Sequence, residues 1–236
     1  MSTAALVVAL DFPEAPRALE FASRLRGLVP WVKVGLELYL TGGRDLVARL
    51  KDMGFSVFLD LKFMDIPNTV QAAVAQATRM GADMLTIHTL GGASMAGAAV
   101  AGRDQGAALG QTPPLLLGVT ILTSMGPGDM AWNPSASAGD LRDLTVHLAR
   151  QAQNWKLDGV VCSGREVCDI RQACGAHFKL LTPGIRLPDA DAGDQTRVCT
   201  PARAVRDGSD YLVVGRPITR ADNPVEAARM YLEAFE

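Results

Sequence analysis

Several familiar chemistries are missing from this chain. Its four cysteines, Cys162, Cys168, Cys174 and Cys199, form no C-x-x-C pair, and His88, His147 and His177 lie far apart, with no spacing of the H-E-x-x-H kind. The expectation is reduced, mostly packed thiols and no metal site. Neither charge dominates, since 23 Lys and Arg face 25 Asp and Glu over 236 residues. That balance gives no basic footprint for nucleic acid or an anionic membrane and points to a small-molecule partner. The apolar run in the amino end "MSTAALVVALDFPEA" is cut off by Asp11 and Pro13. It is too short for a signal peptide or a membrane span, so a cytoplasmic protein is expected. Glycine is also absent from the turn after that first run, "ALDFPEA", where an open nucleotide-binding sheet would carry its glycine-rich loop.

Short apolar, β-branched runs recur at 5–10, 31–35, 57–62, 84–88, 115–120, 159–162, 179–182 and 211–215. Helical patterns follow them at 14–26, 44–53, 69–80, 94–108, 141–157, 165–173, 201–206 and 224–235. Asp140 before Leu141 and Asn223 before Pro224 read as helix starts, and Gly27, Gly54, Gly81 and Gly175 stand where helices end. Repeated βα units with no linker-like break predict a single (β/α)8 barrel, one domain over 1–236. An open doubly wound sheet is the alternative. Two connections, 122–139 and 183–200, far exceed the usual loop of about 4–6 residues. Both follow strands, which places them on the face where barrel sites lie, as candidate lids.

Charge is concentrated at the ends of the early strands. In "FLDLKFMDIPNT", Asp60 and Lys62 are two apart, so a pleated strand puts them on one face with Leu59 and Leu61 on the other. The same parity brings Asp11 and Lys33 to the ends of neighbouring strands. A purely structural ion-pair network is a weak explanation, because desolvating several charges usually costs about as much as their attraction returns. Clustered, mutually perturbing charges point instead to a site. A second cluster, "VVGRPIT", ends the eighth strand on Gly215 and Arg216, and "PGIR" brings Arg186 to the same corner, the usual phosphate position of such barrels.

Taken together, "ALD" at 9–11, "KVG" at 33–35, "DLKFMDIPNT" at 60–69, "GVTILTS" at 118–124, "TPGIR" at 182–186 and "VGRPIT" at 214–219 resemble the orotidine 5'-monophosphate decarboxylases, in their bacterial form. The resemblance implies a cofactor-free decarboxylation of orotidine 5'-monophosphate to uridine 5'-monophosphate by a homodimer with shared sites. It makes Lys33, Asp60, Lys62 and Asp65 the catalytic charge array, with Asp65, Ile66 and Thr69 reaching into the partner's site. Asp11 and Lys33 would hold the ribose hydroxyls, and Thr123 or Ser124 would read the pyrimidine. Arg186, Gln195, Gly215 and Arg216 would grip the phosphate, Gln195 also bridging toward the base. Two other readings remain: a metal-dependent phosphosugar decarboxylase sharing D-x-K-x-x-D, and a non-catalytic nucleotide-binding barrel.

Overall fold

The computed structural model describes residues 4–109, 112–130, 137–188 and 197–235. Among them eight parallel strands close into a barrel in sequence order: β1 (Ala5–Ala9), β2 (Trp31–Gly35), β3 (Ser56–Phe63), β4 (Met84–His88), β5 (Leu115–Val119), β6 (Gly159–Val161), β7 (Lys179–Thr182) and β8 (Tyr211–Val214). The closing pair is β1 with β8, in register from Ala5 opposite Tyr211 to Val8 opposite Val214. Between the strands run α1 (Ala15–Leu25), α2 (Leu36–Asp52), α3 (Pro67–Arg79), α4 (Gly92–Gly106), α5 (Ala138–Asn154), α6 (Val167–Cys174) and α7 (Pro201–Asp207); α8 (Arg216–Thr219) and α9 (Pro224–Glu233) follow β8. The predicted barrel is the fold observed.

Strand alternation divides the core in two. Leu6, Val8, Val32, Val34, Val57, Leu59, Leu85, Leu116, Leu180 and Leu212 point outward and are buried with the helices. Val7, Ala9, Phe58, Met84, Leu117, Leu181 and Val213 fill the inside of the barrel. Two residues further along several strands, the inward rows change from apolar to polar: Val7 and Ala9 lead to Asp11, Trp31 to Lys33, Phe58 to Asp60, and Met84 to Thr86. The lower barrel is therefore packed and its carboxyl-terminal mouth is charged.

Local boundaries differ from expectation where short-range signals compete. Instead of starting at residue 44, α2 begins at Leu36 and runs through a break at Gly43, whose backbone (φ 51, ψ −144) is non-helical. The Gly42-Gly43 pair hides that first turn from a propensity reading. Asp140 is not the first residue of α5 but its third. Ser137 is the cap: its hydroxyl accepts from the Asp140 N–H at 3.2 Å, and Asp140 accepts from the Ser137 N–H at 2.7 Å, a reciprocal pairing that closes the helix end. Asn223 caps α9 as expected, accepting from the Glu226 N–H at 3.3 Å. β8 stops at Val214, and Arg216 opens the short α8.

The opposite, amino-terminal face is held by a repeated device. Asp83, Asp158 and Asp210 each precede an even-numbered strand and accept an N–H from the strand before it, that of Val57, Leu116 and Leu180 at 2.7, 2.7 and 2.9 Å. Each also pairs with a helix cation, Lys51, Arg103 or Arg171. Asp210→Ala strands the Leu180 N–H and removes the carboxylate of Arg171, so a stability loss of roughly 2–3 kcal/mol is expected. Turnover per folded molecule should be unchanged, because the residue lies at the far end of the barrel. Urea unfolding beside an activity assay checks both parts, and a purely catalytic defect would contradict the assignment.

Candidate active site

At the mouth, acid and base alternate in a row. The Lys33 ammonium lies 3.1 Å from Asp11 Oδ1 and 3.8 Å from Asp60 Oδ2, and Lys62 Nζ donates to the same Asp60 Oδ2 at 2.8 Å. Three neighbouring strands thus deliver the order Asp11, Lys33, Asp60, Lys62. The second oxygen of Asp60 accepts from the Thr86 hydroxyl at 2.9 Å.

Asp60 is buried, which by itself would raise its carboxyl pKa. The ammoniums of Lys33 and Lys62 and the hydrogen bonds from Lys62 and Thr86 outweigh that cost, and its pKa lies below the ordinary value. His88, at the end of β4, is pushed below the usual imidazole range by burial and then by the Lys62 ammonium, against the pull of Asp60.

Asp60 and Lys62 share a face as predicted, but not through a regular pleat. Leu59 pairs with Leu85, and the next pair is Phe63 with Ile87, so β3 spends four residues where β4 spends two. Within this bulge Lys62 takes a left-handed backbone, φ 51. For a residue other than glycine that conformation costs about 1–2 kcal/mol, which the surrounding contacts must offset. The distortion turns the Lys62 side chain back over Asp60.

Two glycines leave room for these charges. A Cβ on Gly35 would stand 3.0 Å from Lys33 Nζ, and one on Gly215 would stand 3.4 Å from Asp11 Oδ2. The glycines of "KVG" and "VGR" are therefore explained by close approach to the charge row.

The row edges a cavity of ≈ 350 Å³, the size of a small-molecule site. Val119, Ile121, Val161, Leu181 and Val213 give it an apolar wall. Thr123 and Ser124 line it from the loop after β5, Arg186 from the connection after β7, and Gly215 and Arg216 from the end of β8. Of the residues expected at the site, Asp11, Lys33, Asp60, Lys62, Thr123, Ser124, Arg186, Gly215 and Arg216 therefore meet around one cavity. Asp65, Ile66 and Thr69 do not line it. They are exposed beyond β3, and Asp65 Oδ1 accepts from the Ile66 N–H at 2.6 Å. Gln195 lies outside the described residues.

The sequence over residues 4–231 matches the orotidine 5'-phosphate decarboxylase / HUMPS family. The chain belongs to that family. It is 56% identical over 228 residues to the orotidine 5'-phosphate decarboxylase of Nitratidesulfovibrio vulgaris, covering 96% of this chain and 95% of that one. The corresponding protein of Maridesulfovibrio salexigens is 55% identical over 224 residues, covering 95% of each. Among solved structures, the orotidine 5'-phosphate decarboxylase of Lactobacillus acidophilus superposes with a TM-score of 0.86 at 34% identity, covering 99% of both chains.

Two elements around this decarboxylase-family site had no sequence signal. Thr86 is one, a neutral residue inside an apolar strand. The other is a buried pair, Glu166 with Arg197, at 2.6 Å. Arg197 also donates to the carbonyls of Ile121 and Leu122 at 3.3 and 2.9 Å, and Glu166 accepts from the Ser163 N–H at 3.0 Å and from its hydroxyl. Arg197 thus ties the end of the second long connection to the base of the first, immediately before Thr123 and Ser124. Partners so far apart in the chain leave no local pattern to read.

Proposed function

We propose that the chain decarboxylates orotidine 5'-monophosphate to uridine 5'-monophosphate without a cofactor, using Lys62 as the central group. The observation that carries this reading is the Asp11, Lys33, Asp60, Lys62 row on one side of a cavity whose rim also holds Arg186 and Arg216. The two arginines suit a phosphate, the apolar wall suits a flat base, and the charges suit a reaction in which an anion develops on carbon.

In this mechanism the bond from C6 of the pyrimidine to its carboxylate breaks, carbon dioxide leaves, and the electron pair stays on C6 in the ring plane. The Lys62 ammonium stabilises that pair and then gives it a proton, forming the C6–H bond of the product. Solvent re-protonates the lysine. Asp60 holds the ammonium over the reacting carbon and faces the departing carboxylate. Asp11 and Lys33 take the ribose hydroxyls, while Thr123 or Ser124 takes the pyrimidine. Phosphate binding by Arg186, Gln195, Gly215 and Arg216 supplies remote binding energy to close the long connections.

Asp65, Ile66 and Thr69 act across a homodimer interface. Their position outside the cavity supports this, as do the exposed apolar residues Leu36, Leu40, Met64, Ile66 and Leu90 after three consecutive strands, β2 to β4. Loss of the ultraviolet absorbance of orotidine monophosphate on adding the purified chain tests the reading. Turnover of a phosphosugar but not of the nucleotide would reject it, and so would binding of 6-aza-uridine monophosphate with no turnover of either.

The phosphate assignment has its own test. Arg216→Ala should weaken binding of the nucleotide by about 1.5–3 kcal/mol, roughly 10–150-fold, and leave affinity for the phosphate-free nucleoside nearly unchanged. Equal losses for both ligands, measured by competition, would move Arg216 off the phosphate.

A further inference from the structure

Lys62 is held at both ends by the same carboxylate. Its ammonium donates directly to Asp60 Oδ2 at 2.8 Å. Its backbone N–H donates to Thr86 Oγ1 at 3.0 Å, and that hydroxyl donates onward to Asp60 Oδ1 at 2.9 Å. A hydroxyl has a single proton. Because the Lys62 N–H already points at the oxygen, that proton is directed to Asp60, and the direction of the relay is fixed.

We propose that Thr86 is the positioning residue of this decarboxylase site, its hydroxyl locking both the left-handed backbone of Lys62 and the plane of the Asp60 carboxylate. The inference rests on the decarboxylase reading given above.

Three observations support the role. Thr86 has 0% exposure, so no bulk water competes for either hydrogen bond. It sits in the interior of β4, paired with Leu117 of β5, and its β-branched side chain has little χ1 freedom there. The residue it holds is one of two non-glycine residues with positive φ among those described, the other being Lys156, which lies away from the cavity after α5. Strain of this kind persists only where neighbours over-determine it, and the Thr86 hydroxyl accepts the Lys62 N–H. With Oδ1 engaged by Thr86, Asp60 presents Oδ2 to Lys62 and Lys33. The charged or titratable groups around this carboxylate are Asp11, Lys33, Lys62 and His88, and Thr86 is the neutral member that sets its orientation.

Thr86→Val keeps the shape and removes the hydroxyl, leaving the Lys62 N–H and Asp60 Oδ1 without this partner. Since a shift of about 1 Å in a reacting group can cost on the order of 10²-fold, kcat for orotidine monophosphate should fall by about that factor. KM should stay within about threefold, because ribose and phosphate contacts are untouched. Thr86→Ser should recover most of the loss, having the hydroxyl but not the methyl. In case valine disturbs the barrel, Thr86→Ala compared with Thr86→Ser isolates the oxygen, with the same drop expected for alanine. Thermal unfolding of each variant confirms that a folded enzyme is being compared. Unimpaired kcat in the valine or alanine variant, or a serine variant as slow as alanine, would overturn the role. Absence of turnover in the unmodified enzyme would instead overturn the reading of the site itself, and the role with it.

Discussion

Lys62→Ala is expected to lower turnover of orotidine monophosphate by at least about 10⁴-fold, because one substitution removes both the counter-charge of the carbanion and the proton it must receive. Binding of a substrate analogue should survive. The cavity wall, Arg186 and Arg216 do not depend on Lys62, and the left-handed backbone at this position costs alanine about what it costs lysine. The decisive comparison is kcat from single-turnover kinetics against analogue affinity from titration. Turnover within about tenfold of the unmodified enzyme would remove Lys62 from the chemistry.

A mixed dimer tests where Asp65 acts. Lys62→Ala and Asp65→Ala homodimers should each be inactive or nearly so. In a mixed dimer the Asp65→Ala chain keeps its own Lys62 and receives an intact Asp65 from the other chain, which rebuilds one site and leaves the other doubly damaged. Random exchange of equal amounts makes about half the dimers mixed, each with one good site of two, so recovery should approach about a quarter of unmodified activity per subunit, given isologous assembly. No recovery, after exchange has been verified by mass or fluorescence, would place Asp65 in its own chain's site. Its exposure beyond β3, outside the cavity, argues against that.

The charge row was legible in the sequence for a physical reason, whereas Asp65 was singled out by the family resemblance alone. In a parallel barrel every second residue faces inward, so charges two positions past an apolar inward row must lie at the mouth. Asp11, Lys33 and Asp60 follow Ala9, Trp31 and Phe58 by that rule, and β1, β2 and β3 place them together. Lys62 obeys the rule only with the help of a bulge. Thr86 satisfies the same parity after Met84, but a buried threonine in a strand is usually just a well-packed β-branched residue, so its hydroxyl gave no warning. The Glu166–Arg197 pair was hidden by distance along the chain. The first turn of α2 was hidden by adjacent glycines whose conformational freedom says nothing about where the chain turns.

In the proposed reaction a fixed row of lysines and aspartates, with no metal, removes carbon dioxide from a nucleotide. The most direct test is the ultraviolet assay of orotidine monophosphate on the purified enzyme before and after dialysis against excess chelator. Equal rates are expected in the two samples, with uridine monophosphate as the product. Turnover that disappears on chelation and returns with a divalent cation would contradict the metal-free reaction.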